Sequence, residues 1–190
     1  MVIIMKNSAK SLSIGALMIA LAAVLSMVRL FRMPLGGSVT LASVAPLLLA
    51  CYFLKPEFAF ITATAYSLIQ LITGLDNLKG LSLISTVGSL FFDYIIAYAV
   101  LGVIVFFGLK RKNIFTFAIG AVSVCVLRFI CHLLSGMLFF AEWTPPEYAN
   151  SFVYSFLYNG GFLLPDSLIA VVVAIALFIP FKMLSKEMDI

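Results

Sequence analysis

Long apolar stretches occupy almost the whole chain, and only short polar segments separate them. A helix of roughly 20 apolar residues is long enough to cross the hydrocarbon core of a bilayer. Of the 190 residues, 64% are hydrophobic and 11% are charged, whereas about a quarter of the residues in a soluble domain are charged. The sequence therefore predicts an all-α integral membrane protein. We expect one domain over residues 1–190 with six transmembrane helices, at about 11–31, 39–54, 57–74, 83–108, 114–140 and 160–181.

Basic residues are distributed unevenly between the two sets of connecting segments. Membrane proteins keep Lys and Arg on the cytoplasmic side, so the richer set is expected to be cytoplasmic. That assignment places both termini in the cytoplasm, and the Gly-rich first loop and the aromatic fifth loop outside. The inner set is Lys6, Lys10, Lys55, Lys110, Arg111, Lys112, Lys182 and Lys186, and the outer set is Arg29, Arg32 and Lys79.

Several function classes are disfavoured by the same sequence. The net charge of +4 does not indicate nucleic-acid binding, because the basic residues are scattered and follow the topology bias. Cys51, Cys125 and Cys131 lie in apolar stretches without CxxC spacing, so they are expected to be packing residues rather than metal ligands or disulfide partners. The sequence has no GxxxxGK[ST] motif, so any ATP hydrolysis must occur on another chain. The lack of a convincing internal repeat argues against a secondary carrier built from inverted halves.

Ionisable residues inside membrane helices are candidates for a functional site. The segment RFICHLLSGMLFF contains Arg128 and the only histidine, His132. Residues four apart lie on one helix face, so Arg128, His132, Gly136 and Phe140 are predicted to form one stripe. We interpret this stripe as a wall of a cavity open to the outside. Arg128 could equally bond a neighbouring helix, whereas His132 is favoured as a ligand contact because Gly136 leaves space beside it.

Two carboxylates also fall within predicted helices, and a buried carboxylate is costly unless it is paired or hydrogen-bonded. Asp93, in LFFDYIIAYA, could pair with Arg128 inside the membrane or accept hydrogen bonds from the N–H groups of a ligand, and we favour the ligand. Tyr94 and Tyr98 extend the polar and aromatic character of this helix. Asp166 follows a proline in FLLPDSLIA, and a structural or interfacial role is favoured for it.

The segment YSFLYNGGF supplies uncharged hydrogen-bonding side chains. Tyr154 and Asn159 could belong to an interfacial aromatic belt, but we favour a place in the binding site because they offer donors and acceptors without charge. Together with Asp93 and His132 they predict a pocket for a flat heteroaromatic ligand. Aromatic faces and a carboxylate would both attract a cationic one.

Four segments resemble, in collinear order, parts of the thiamine-specific S components of energy-coupling factor (ECF) transporters. They are MPLGGSVTLASVAPLLL, LFFDYIIAYAVLG, LRFICHLLSGMLFF and YSFLYNGGFLLP. The resemblance implies a six-helix S-component-like bundle in the bacterial cell membrane that captures thiamine at the outer face. It also implies a transmembrane coupling protein and two cytoplasmic ATPase subunits as partners. Thiamine is the implied ligand, with no cofactor and no metal.

The resemblance assigns roles to individual residues. It places Asp93 at the aminopyrimidine of thiamine, followed by Tyr94, and it places His132 and Gly136 near the thiazolium. Phe140 falls where some members have a stacking tryptophan, and Trp143 is expected to supply a second ring. The remaining matches are Tyr154 and Asn159 as site residues, and Ala16 and Ala20 as a small-residue pattern of the first helix that contacts the coupling protein.

Two alternatives stay open at this point. The same fold could take another small vitamin or precursor, such as riboflavin or a hydroxymethylpyrimidine. An intramembrane hydrolase is a weaker alternative, since Ser135 and His132, three apart on one helix, make a poor nucleophile–base pair. A single histidine also excludes the usual multi-histidine metal sites.

Overall fold

The computed structural model describes residues 2–34, 36–109 and 112–188. Within these ranges the chain forms seven helices and one antiparallel hairpin, and five of the helices are long and apolar enough to cross a membrane. The helices are α1 (Val2–Met27), α2 (Ala45–Phe53), α3 (Pro56–Gly74), α4 (Leu83–Gly108), α5 (Ile114–Phe139), α6 (Ser151–Ala176) and α7 (Phe178–Glu187), and the strands are β1 (Arg29–Arg32) and β2 (Ser38–Thr40). The predicted all-α membrane class is confirmed.

The short helix α2 forms the centre of the bundle. All nine of its residues are buried, and it packs against α1, α3, α4 and α6. Pro46 lies in its first turn, where the missing N–H would have no helical partner in any case. Nine residues rise only about 14 Å, so α2 does not cross a bilayer by itself. Of the three cysteines, Cys51 lies in this core, and all three are free and buried, as expected for packing residues.

The predicted ends of the first two helices are wrong, because a hairpin lies between them. α1 ends at Met27 rather than residue 31, and the next residues form β1. β2 then takes the residues predicted to begin a helix at 39, so that α2 begins only at Ala45. The chain reverses at Gly36, whose φ of +104° suits glycine. The hairpin covers one end of the bundle and follows directly from α1.

The predicted last helix, at 160–181, corresponds to two consecutive helices, the first of which begins nine residues earlier than predicted. α6 begins at Ser151, where the Asn150 side chain accepts a hydrogen bond from Val153 N at 3.0 Å and caps the first turn. It ends at Ala176, and α7 follows after Leu177. This division explains why the described residues contain seven helices where the sequence predicted six. Of the basic residues used to predict topology, Lys110, Arg111 and the side chain of Lys6 lie outside the described residues.

Helix α4 is continuous but irregular. It contains a π-helical turn at Leu90–Ile96 and a 3₁₀ segment at Val100–Ile104. π-Helical turns occur often at functional sites. This one contains Asp93 and Tyr94, two of the predicted site residues.

Candidate substrate-binding cavity

A cavity of about 300 Å³ lies at the hairpin end of the bundle. Its walls come from the hairpin, from the C-terminal ends of α1, α3 and α5, and from the N-terminal parts of α4 and α6. These elements approach it in alternating directions, as expected for an up-and-down bundle. Seven of the eight predicted site residues line it: Asp93, Tyr94, His132, Gly136, Phe140, Tyr154 and Asn159.

The stripe predicted on α5 lines the cavity as one wall. Arg128, His132, Gly136 and Phe140 all contribute to it. Gly136 also has a packing role, because a Cβ at this position would lie 2.2 Å from Ser155 Oγ. The absence of a side chain at Gly136 therefore lets α5 and α6 approach closely, in addition to leaving room in the cavity.

Asp93 is held by two side chains of α5. Its Oδ1 lies 2.9 Å from His132 Nδ1, and its Oδ2 accepts a hydrogen bond from Ser135 Oγ at 2.6 Å. The side chains of Asp93 and His132 are only 17% and 12% exposed. His132 Nε2 is buried and has no hydrogen-bond partner among the described residues. In the tautomer with the proton on Nδ1, His132 donates a hydrogen bond to Asp93 and Nε2 is left as an acceptor.

Arg128 pairs with Asp166 and not with Asp93, so the alternative of an Asp93–Arg128 pair is wrong. Arg128 NH1 lies 3.0 Å from Asp166 Oδ2, and NH2 donates to Tyr98 Oη at 3.1 Å. The guanidinium carbon also lies 4.8 Å from the centre of the Tyr98 ring. Asp166 Oδ1 accepts hydrogen bonds from Thr40 N at 2.9 Å and from Thr40 Oγ1 at 2.7 Å. These contacts bury Asp166 between its two partners and join β2 to α5 and α6.

Tyr94 is hydrogen-bonded to the end of α3 and to the segment that follows it. Its hydroxyl donates to the Gly74 carbonyl at 3.0 Å and accepts from Asn77 Nδ2 at 3.3 Å. Asn77 and Gln70 also line the cavity, and neither was predicted. For Asn77 the only signal in the sequence was the polarity of GLDNLKGLS, which is equally typical of an exposed loop.

Helix α6 contributes a ladder of aromatic rings and one amide. The centres of Tyr154 and Tyr158 are 5.8 Å apart, and those of Tyr158 and Phe162 are 6.0 Å apart. Asn159 Nδ2 donates to Ser155 O at 2.9 Å and to the His132 carbonyl at 3.2 Å. The fixed amide and the row of tilted rings form a largely aromatic wall, which packs against the hairpin at Phe162. Phe162 was not predicted, although its spacing of four from Tyr158 would have indicated it.

Three predicted residues lie away from the cavity. Trp143 is 46% exposed and does not line the cavity, because α5 ends at Phe139 and the following 3₁₀ turn, Ala141–Trp143, carries the ring outward. The second stacking ring expected from it is therefore not in place. Ala16 and Ala20 are exposed on α1, where their role as a contact for another helix remains a prediction.

The family described as "Thiamine transporter protein (Thia_YuaJ)" matches residues 12–186. The chain belongs to this family. It is therefore a multi-pass membrane protein of a transporter family rather than an enzyme, and the hydrolase alternative is wrong. Consistent with this, the Ser135 hydroxyl donates to Asp93.

Two individual relatives have similar length and fold. The thiamine transporter ThiT of Bacillus subtilis (strain 168) is 28% identical over 184 residues, which covers 90% of this chain and 92% of the relative. A solved structure of ThiT from Listeria monocytogenes is similar with a TM-score of 0.72 and 19% identity, over 92% of this chain and 96% of that one. At that identity the structural match shows a common fold.

Proposed function

We propose that the chain is the thiamine-binding S component of an ECF uptake transporter and that thiamine occupies the cavity at the hairpin end. The observation that carries this proposal is the charge pattern of the cavity wall. Arg128 and Asp166 neutralise each other at 3.0 Å, and Arg29 lies at the exposed edge. Asp93 is partly buried, and its partners among the described residues are His132 and Ser135, so no lysine or arginine of the described wall neutralises it.

An uncompensated carboxylate in a half-buried aromatic cavity favours a flat organic cation. Thiamine carries a permanent positive charge on its thiazolium and N–H donors on its aminopyrimidine. Opposite charges about 6 Å apart, the distance expected when the carboxylate bonds the neighbouring ring, attract by roughly 3 kcal/mol at the effective dielectric of a protein surface. The α6 ladder adds cation–π attraction of about 2 kcal/mol when the ring is desolvated. A cavity of about 300 Å³ is at the small end of the range for such ligands.

The site residues carry distinct roles in this proposal. Asp93 accepts hydrogen bonds from the aminopyrimidine, and His132 and Ser135 hold the carboxylate in place. Tyr94 fixes α4 against α3 at this level of the cavity. The ligand is enclosed on one side by Gly136 of α5 and by Phe140 directly after it, and on the other side by Tyr154 and Asn159 of α6.

The orientation and partners complete the proposal. The cavity faces outside and both termini face the cytoplasm, because the other end of the bundle carries the basic segments. Lys10 Nζ donates to Met188 O at 3.3 Å, so the N-terminal half of α1 and the end of α7 are neighbours, which supports placing both termini on one side. A transmembrane coupling protein docks on Ala16 and Ala20, and two cytoplasmic ATPase subunits supply the energy.

Titration calorimetry on the purified protein in detergent tests the proposal. Thiamine should bind tightly, its pyrimidine half more weakly, and riboflavin not at all. Asp93→Asn should weaken thiamine binding about 10-fold or more, since a charge-assisted hydrogen bond is worth roughly 1.5–3 kcal/mol. Asp76→Asn is the matched control, because it removes the same charge from an exposed residue that lies outside the cavity wall. Preference for riboflavin, or equal effects of the two substitutions, would contradict the proposal.

A further inference from the structure

The buried pair of Arg128 and Asp166 has no direct part in the recognition of thiamine described above. Both side chains line the cavity, and they are only 6% and 2% exposed. Arg128 lies one helical turn from His132 on the same face of α5. The net charge of this pair therefore changes the electrostatic potential in the cavity. The change is large because the pair lies in the low-dielectric interior.

Stability alone does not account for a charged pair at this place. Moving two charges out of water is costly, and replacing a buried ion pair by apolar residues is often neutral or stabilising. Removing one partner has the opposite effect, since it leaves an uncompensated charge. What matters for the cavity is therefore the net charge of the pair. When that net charge is zero, Asp93 makes the cavity negative; when only Arg128 is charged, its charge cancels that of Asp93.

The contacts of Arg128 keep its charge inside the bundle. A guanidinium stays protonated in proteins, and this one is fixed between the Asp166 carboxylate and the Tyr98 ring. Its Nε is buried with no hydrogen-bond partner among the described residues. Without the negative charge of Asp166, the positive charge would remain in the cavity wall and oppose that of Asp93.

We propose that Asp166 is a specificity-determining residue: it cancels the charge of Arg128 and so leaves Asp93 free to select a cation. This inference rests on the proposed binding of thiamine in the cavity. It assigns to Asp166 an effect on the ratio of affinities for charged and uncharged ligands. A residue with a merely structural role would change both affinities alike.

The test compares thiamine with deazathiamine, an isostere in which an uncharged thiophene ring replaces the thiazolium. Asp166→Asn keeps an oxygen for Thr40 and removes the charge. It should weaken thiamine binding about 10-fold or more, as expected for an added like charge near the ligand, and should change deazathiamine binding by less than about 3-fold. Asp76→Asn should leave both affinities unchanged.

Two further variants keep the test decisive if Asp166→Asn does not fold. Arg128→Gln leaves the Asp166 carboxylate with its two bonds to Thr40, so the preference for thiamine over deazathiamine should rise. The double variant Arg128→Gln/Asp166→Asn has a neutral pair and should restore the ratio of the original protein. Parallel losses for both ligands, or a lower ratio in Arg128→Gln, would overturn the inference. Failure of the unmodified protein to bind thiamine would instead overturn the proposed function.

Discussion

Gly136→Ala should destabilise the bundle and weaken binding, because of one close contact between α5 and α6. The new Cβ would lie 2.2 Å from Ser155 Oγ and 2.9 Å from Ser155 Cβ. Ser155 Oγ donates to Leu133 O at 2.9 Å and accepts from Asn159 Nδ2 at 3.1 Å, so it can move only by breaking these bonds. Overpacking costs about 1–3 kcal/mol, and a lost buried hydrogen bond costs a similar amount.

The melting temperature in detergent should be lower. The thiamine Kd should rise about 10-fold if the displacement of Asn159 costs about 1.4 kcal/mol of binding free energy. Gly160→Ala is the matched control on α6, because its nearest neighbour, Leu164 Cδ1, would lie 3.9 Å from the new Cβ. That variant should be neutral or up to about 1 kcal/mol more stable, as alanine is the better helix former. Adding Ser155→Gly to Gly136→Ala should recover part of the binding.

Equal melting temperatures and affinities for Gly136→Ala and Gly160→Ala would refute this reasoning. They would mean that α5 and α6 are further apart than the structure places them.

Three other perturbations probe separate parts of the molecule. Ala16→Trp or Ala20→Trp should spare thiamine binding but abolish uptake by cells, measured with radiolabelled thiamine; uptake at the normal rate would show that these alanines only face lipid. Ser135→Ala removes the 2.6 Å hydrogen bond to Asp93. It should raise the Kd for thiamine about 3- to 10-fold, as expected for the loss of a bond to a charged group. An unchanged titration would exclude Ser135 from holding the carboxylate. Gly36→Ala, at a φ of +104°, should accelerate release of thiamine in stopped-flow measurements, because alanine strains the hairpin by about 1–2 kcal/mol; an unchanged release rate would show that the hairpin does not retain the ligand.

The helix faces in the site were predictable because helical periodicity is a local property of the sequence. The spacing of four places Arg128, His132, Gly136 and Phe140 on one stripe, and the structure confirms that all four line the cavity. The hairpin was not predictable in this way, since residues 11–31 and 39–54 read as continuous apolar runs. A strand pair forms there because Gly36 and its neighbours allow the chain to reverse, and a run of apolar residues does not distinguish a strand from a helix.

Which carboxylate pairs with Arg128 could not be predicted from helical periodicity, because it depends on where the last helix begins. With the predicted start of the last helix at 160, Asp166 would lie only about 9 Å along its axis, close to the membrane surface, where an interfacial role is expected. Because Asn150 caps α6 at Ser151, Asp166 lies about 22 Å along the axis, deep enough to meet Arg128. The N-cap at Asn150 was therefore the one local signal that could have favoured Asp166 over Asp93 as the partner of Arg128. Asp93 is left to His132 and Ser135, and the charge selectivity proposed for the cavity follows from this difference in partners.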